Sequence, residues 1–288
     1  MAALLLNVAG CNPFVSDEDR TIYFGTWWEG DDFGNICAVT PDGRAPRVIV
    51  EDAVYPRLSK DRTRIVYHSG LDGDSEIWIA NADGSAATKL TDNDFADSRP
   101  CFSPDGSTIL FESDRDGSFR LYTMDITGDS VVSLTPAFEA IRGEYSPNGE
   151  RITFTAGLNS TSGNKIQIMD ADGQNTQTIL PPDFYHSWGS HWSPDGTKLA
   201  FTAYMGDGAD PMNTIYTVNA DATGLTPLYS EGYSQQEPQW SSDGSELVMV
   251  HRPTMSDMNQ LYILSADGLD ARQLFASSFH CFQPYWVW

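Results

Sequence analysis

A closed all-β ring, a six-bladed β-propeller of four-stranded antiparallel blades, is the fold class this 288-residue sequence predicts. Three observations predict it. One short motif recurs at a fixed period, each period holds four short β-type segments, and the chain starts and stops out of phase with the repeat. A period of this size is the signature of a stacked or circular array of one small unit.

The motif reads Ser103-Pro104-Asp105-Gly106, Ser146-Pro147-Asn148-Gly149, Ser193-Pro194-Asp195-Gly196 and Ser241-Ser242-Asp243-Gly244, with a weaker copy at Ser59-Lys60-Asp61-Arg62. Its third positions stand 44, 43, 47 and 48 residues apart. Proline presets φ for the second place of a type I turn, Asp or Asn suits the third, and Gly takes the left-handed fourth. Arg62 stands where that Gly belongs. A side chain there costs about 1 kcal/mol if the conformation is kept, so a local difference is expected in the second blade.

The third unit shows the remaining elements in order. Pro100 to Phe102 is a short extended stretch, and Thr108 to Ser113 is a strand rich in β-formers. Asp114 to Gly117 is a turn, Arg120 to Met124 alternates, and Val131 to Leu134 follows a further turn at Asp125 to Gly128. Alternation with period 2 and β-branched or aromatic residues fits half-buried strands. An outer turn recurs as Pro41-Asp42-Gly43, Ala82-Asp83-Gly84, Ala171-Asp172-Gly173 and Ala266-Asp267-Gly268, and the third and fifth units keep only Gly128 and Gly224.

Closure follows from phase. The first β segment, Thr21 to Thr26, matches the second strand of a unit, and the last, Gln283 to Trp286, matches a first strand. The C-terminal strand therefore supplies what the N-terminal blade lacks, which removes sheet edges. Residues 1–19 read as a leader and 20–288 as one propeller domain.

These repeats resemble the TolB-like propeller family: a Pro, an aromatic, Ser-Pro-Asp-Gly, an Ile-x-Phe strand, an Ile-Tyr-x-Met-like strand and an Asp-Gly turn. The resemblance spans about residues 20 to 288. It implies a bacterial envelope setting, periplasmic or outer-membrane-anchored, and a binding role toward envelope proteins such as the peptidoglycan-associated lipoprotein. TolB itself carries a small α/β domain ahead of its propeller, for which this chain has no room.

Net charge is −23, from 40 acidic and 17 basic residues. The four lysines are Lys60, Lys89, Lys165 and Lys198. Such a surface repels nucleic acid and anionic lipid. Val8-Ala9-Gly10-Cys11 matches the pattern of small residues before a lipidated cysteine, so Cys11 is the expected anchor and the sole expected membrane contact, although a basic n-region and a full apolar core are missing. A monomer is expected. Cys37 and Cys281 fall in the same blade, where a disulfide would lock the ring in an oxidising compartment; buried free thiols are the alternative.

Propellers take ligands at the mouths of their central channel. The residues just before the recurring proline position of the innermost strand are Tyr55, Arg99, Arg142, Gly189, Glu237 and Gln283. Arg99 and Arg142, in adjacent blades of a chain poor in positive charge, suggest a bidentate clamp for a carboxylate or a peptide C-terminus. The alternative is that they pair with Glu237 or Glu144 and plug the channel. His186 and His191 flank Trp188 and share that mouth in this reading. No cofactor is expected. Calcium is an option at the carboxylate-rich loops Asp72 to Glu76 and Asp92 to Asp94. Trp27-Trp28 with Asp31-Asp32-Phe33 is an aromatic loop outside the repeat, a protein or sugar contact or simple packing.

Neither a Gly-x-Ser-x-Gly elbow nor a His-Glu-x-x-His or P-loop pattern occurs. The leading expectation is a non-enzymatic scaffold engaging a protein, peptide or glycan at the channel mouth, through Tyr55, Arg99, Arg142, His191, Glu237 and Gln283. The alternative is a stand-alone propeller enzyme, a lyase or hydrolase of acidic oligosaccharides, drawing on His191, Gln239, His280 and Gln283.

Overall fold

The computed structural model describes residues 21–27, 34–44, 46–70, 73–157, 163–182, 184–205 and 213–286. Cys11, Trp28, Asp31 to Phe33 and Asp72 lie outside them. Among the described residues there are six antiparallel sheets of four strands, the propeller the repeat predicts. The innermost strands are Val54–Leu58, Asp97–Phe102, Ala140–Tyr145, Phe184–Trp192, Ser234–Trp240 and, closing the first blade, His280–Trp286. That last strand pairs with Ile22–Trp27 in the register Ile22 to Trp286 and Thr26 to Cys281. Closure thus joins the first and last described strands in one sheet.

The Ser-Pro-Asp-Gly turn is held by its own side chains. Ser103 Oγ donates to Asp105 Oδ1 at 2.6 Å and accepts the Thr108 N–H at 3.0 Å. Asp105 Oδ1 also takes the N–H and hydroxyl of Ser107. The same set recurs at Asp61, Asp195 and Asp243. These bonds hold the carboxyls of Asp61, Asp105 and Asp195 below the ordinary range. Part of the acidic surface is therefore turn chemistry.

Arg62 does not alter its turn. It adopts φ 61° and its N–H reaches Ser59 O at 2.8 Å, as Gly106 does to Ser103 O. The outer turn of the fifth blade corrects the sequence reading. Ala222, at φ 67°, holds the place of Gly84, its N–H reaching Asn219 O as Gly84 reaches Asn81 O, while Gly224, also left-handed at φ 65°, matches Ala86.

Blades pack through apolar layers that straddle each seam. Ile166, Ile168, Ile179, Phe184, Trp192 and Phe201, for example, join the fourth and fifth blades. Cys37 and Cys281 are free, which overturns the possible disulfide. Cys37 faces Phe24 and Cys281 faces Thr26 across opposite sides of the same strand, so a whole strand separates them. Two strand spacings, about 9.5 Å, exceed the reach of a disulfide.

Candidate functional site: the channel mouth

Every innermost strand carries a bulge at one repeated position, seen as a register slip against the second strand. The bulged residues are Tyr55 (φ 58°), Arg99 (48°), Arg142 (57°), Gly189 (62°), Glu237 (53°) and Gln283 (50°). A left-handed conformation is uncommon for non-glycine residues and gathers at functional sites. Here it turns five side chains toward one small cavity, which all six bulged residues line together with His191. The residues selected by repeat position are thus brought together. His186 is not among them: it packs on Tyr204 and accepts the Asn164 N–H at Nδ1.

Each bulged residue exposes an N–H toward the preceding blade, and a repeated position on that blade's second strand faces it. His68 Nδ1 accepts from Arg99 N–H at 3.3 Å, Glu112 Oε2 from Arg142 N–H at 2.9 Å, and Thr202 Oγ1 from Glu237 N–H at 3.2 Å. Where that position is Val250 or Gly25, no side-chain acceptor is available, and the preceding bulged side chain substitutes. Glu237 Oε2 accepts from Gln283 N–H at 2.7 Å, and Gln283 Oε1 accepts from Tyr55 N–H at 3.0 Å. Gly25 leaves room for this bond, because a Cβ there would stand 3.0 Å from Gln283 Oε1 and press on the amide. Thr155 holds the corresponding place before Gly189, and its buried hydroxyl has no partner.

The arginines do not form an open clamp. Arg99 pairs with the fully buried Glu112 and lies over the Tyr55 ring at 4.7 Å, while Arg142 Nη1 reaches Glu237 Oε1 at 3.3 Å. Burial opposes the charge on Arg99, but Glu112 and Tyr55 outweigh it and raise its pKa. Tyr55 also stacks on His68, with ring centroids 5.1 Å apart. Burial and the nearby Arg99 guanidinium depress His68 to about 3, so it is neutral with Nδ1 free to accept.

The links form a circuit: Arg142 to Glu237, Gln283, Tyr55, His68, Arg99, Glu112 and back to Arg142. It passes through five blades and skips the fifth, where Gly189 offers no side chain.

Two residues deeper lies a second ring, one residue per blade: Arg57, Cys101, Glu144, His191, Gln239 and Tyr285. His191 Nδ1 hydrogen-bonds Glu144 Oε2, and Glu144 also accepts from the Trp192 backbone and indole N–H groups. Arg57 lies over Tyr285 at 4.9 Å. A cavity on the turn side of the disc shares Arg57, Cys101 and Glu144 with the mouth, so these residues form the partition between the two. Burial, chiefly, pushes the Cys101 thiol up to about 12 and leaves it protonated.

The enzyme set of the alternative reading does not assemble. His191 and Gln239 share the deeper ring and Gln283 sits at the mouth, but His280 lies three residues farther out, stacked on Phe282 with Nδ1 taken by Asn259 N–H. Two carboxylates of the calcium option are engaged: Glu76 accepts from Thr91 and Asn93, and Asp92 pairs with Lys89. Among the described residues no group of three or more His, Cys, Asp or Glu side chains is placed to hold a metal.

Repeat arithmetic located the bulged residues but missed Glu112 and His68. Their signal was available: a polar residue directly after the aromatic of the second strand, as in Tyr67-His68, Phe111-Glu112, Phe154-Thr155 and Phe201-Thr202.

Fold and mouth together define a six-bladed β-propeller with bulged inner strands and a plugged channel. A model described as the TolB beta propeller domain matches residues 46–179. The crystal structure of TolB from Acinetobacter baumannii superimposes with a TM-score of 0.81 at 20% identity, covering 94% of this chain and 67% of that one. An uncharacterized protein of Agrobacterium fabrum is 26% identical over 59% of this chain and 62% of its own length. The uncharacterized peptidase YuxL of Bacillus subtilis is 27% identical over 76% of this chain and 32% of its own. The chain thus spans less than two thirds of the length of these last two relatives. The fold is that of a six-bladed β-propeller, and residues 46–179 are similar to the TolB beta propeller domain.

Proposed function

We propose that this propeller is a non-catalytic binding scaffold of the bacterial envelope, and that the channel mouth recognises a protein or peptide partner. The observation that carries the reading is the convergence of five strained, non-glycine bulged residues on one cavity. About 1 kcal/mol of backbone strain at each is retained, and a plug alone has no need of charged side chains there. Similarity to TolB supports an envelope setting. Periplasmic location, with a lipid on Cys11, belongs to the same reading, as does a glycan as the other class of ligand.

The test is retention. An envelope extract is passed over the immobilised chain and over Arg99→Ala/Arg142→Ala. A partner held by the first and lost from the second is the expected result. Equal retention by both moves recognition away from the mouth, and retention by neither removes the scaffold reading. Replacing Cys11 by Ser should abolish incorporation of labelled fatty acid; unchanged labelling rejects Cys11 as the anchor.

A further inference from the structure

The geometry points to the Arg142–Glu237 ion pair as the clasp of the mouth, which a ligand opens by offering both an acidic group to Arg142 and a donor to Glu237. This inference rests on the mouth being the recognition site and specifies what that site accepts.

Five of the six inter-blade hydrogen bonds of the mouth, counting Glu237 to Thr202 beside the circuit, use a backbone N–H: Arg99 to His68, Arg142 to Glu112, Glu237 to Thr202, Gln283 to Glu237 and Tyr55 to Gln283. Within that circuit, Arg142 to Glu237 is the hydrogen bond that joins two blades through side chains only. It is also the one that spans a whole blade, from the fourth to the sixth, over Gly189. Backbone donors are fixed by the sheets, whereas two side chains can part by rotating. Both ends touch solvent, with side-chain exposures of 22% for Arg142 and 12% for Glu237.

Beneath the clasp there is room. A Cβ on Gly189 would meet Glu237 Cγ at 3.7 Å and Arg142 Nη1 at 3.9 Å, ordinary contact distances. Ser190 and His191 line the same cavity below, with His191 oriented by Glu144. A group entering over Gly189 therefore reaches an ordered polar floor.

The chemistry of the ligand follows from what opening leaves behind. A plain anion would take Arg142 and leave Glu237 Oε1 without its cation in a largely buried site, and a plain cation would leave Arg142 without its carboxylate. Leaving one partner of a largely buried pair alone is costly. A ligand carrying both groups exchanges one pair for another. A peptide segment with adjacent acidic and basic groups has that character, unlike the single carboxylate suggested by the two arginines.

The full chain, labelled with nitrogen-15, is titrated with glycylglycine, with acetate and with methylammonium at matched ionic strength. The amide signals of Gly189, Ser190 and His191 are followed. Glycylglycine should shift them saturably, and each single-charge probe should need about tenfold more, a factor equivalent to 1.4 kcal/mol. Arg142→Gln/Glu237→Gln, which keeps side-chain volume and a neutral hydrogen bond, should lose the response. Gly189→Asn, which tolerates the left-handed backbone and fills the gap, should lose it with the ion pair intact. Acetate acting as well as glycylglycine, or a response that survives both variants, overturns the clasp. Silence toward glycylglycine while the mouth still retains its partner also overturns it, and leaves the mouth reading standing.

Discussion

Arg62 and Ala222 occupy backbone positions that their counterparts give to glycine, and both keep the turn. The penalty is stored rather than relieved. Arg62→Gly and Ala222→Gly should each stabilise the chain by about 1 kcal/mol, read as a higher denaturation midpoint in urea at unchanged slope. A lower midpoint at either site would mean that the side chain contributes more than its backbone costs. Legibility at this scale was uneven. Arg62 stood out because it broke a motif at a fixed place. Ala222 was hidden because Gly224, two residues on, offered a plausible turn residue. Glu112 and His68 were hidden for another reason: a buried polar residue in a strand reads as a flaw in alternation until its acceptor role toward the next blade is seen.

At the scale of turns and strands, the outer Asp-Gly turn matters because it abuts the neighbouring blade. A Cβ on Gly84 would stand 2.1 Å from Ile49 O, and one on Gly43 would stand 2.0 Å from Leu274 O. Gly117 is a contrast, with φ 85° and nothing within 4 Å of its Cβ. Gly84→Ala should therefore cost about 3 kcal/mol, the left-handed strain plus overpacking against backbone, while Gly117→Ala should cost about 1 kcal/mol. Equal losses would show that the turn conformation, not the seam, sets the requirement. Strand positions and turn types were readable because period and turn chemistry are local. The inner-strand bulge was not readable as such. Only its neighbour, the recurring proline, marked the place, and Gly143 and Ser190 replace that proline in two blades.

For the whole molecule, the blade count and the closure by His280–Trp286 were legible from phase alone, since a ring with no free edge admits one partner for the leftover strand. The pairing of Arg142 with Glu237 was one of the alternatives the sequence left open, whereas that of Arg99 with Glu112 was not legible, because Glu112 lies in the second strand and not among the mouth positions. Charge burial at the mouth also gives the fold a pH dependence. Between pH 6.5 and about 3 the unfolded chain binds a proton at His68 that the folded chain excludes. Its contribution is complete above pH 6.5 and declines as pH falls, by up to about 1.4 kcal/mol per pH unit. His186 and His251, also depressed by burial, act in the same direction, whereas the turn aspartates act only below the ordinary carboxylate range. Urea unfolding at about pH 7 and about pH 5 should show this loss, and His68→Gln should flatten it. An unchanged slope in that variant would assign the dependence to the other histidines.

The shared first blade has a practical corollary. Ile22 and Trp286 sit side by side where the other blades make their Ser-Pro-Asp-Gly turns, and the mouth cavity opens on the opposite side of the disc. A bead, a fluorophore or a surface coupled just ahead of Thr21 or just after Trp286 would therefore hold the molecule by its back, with the opening presented outward and unobstructed.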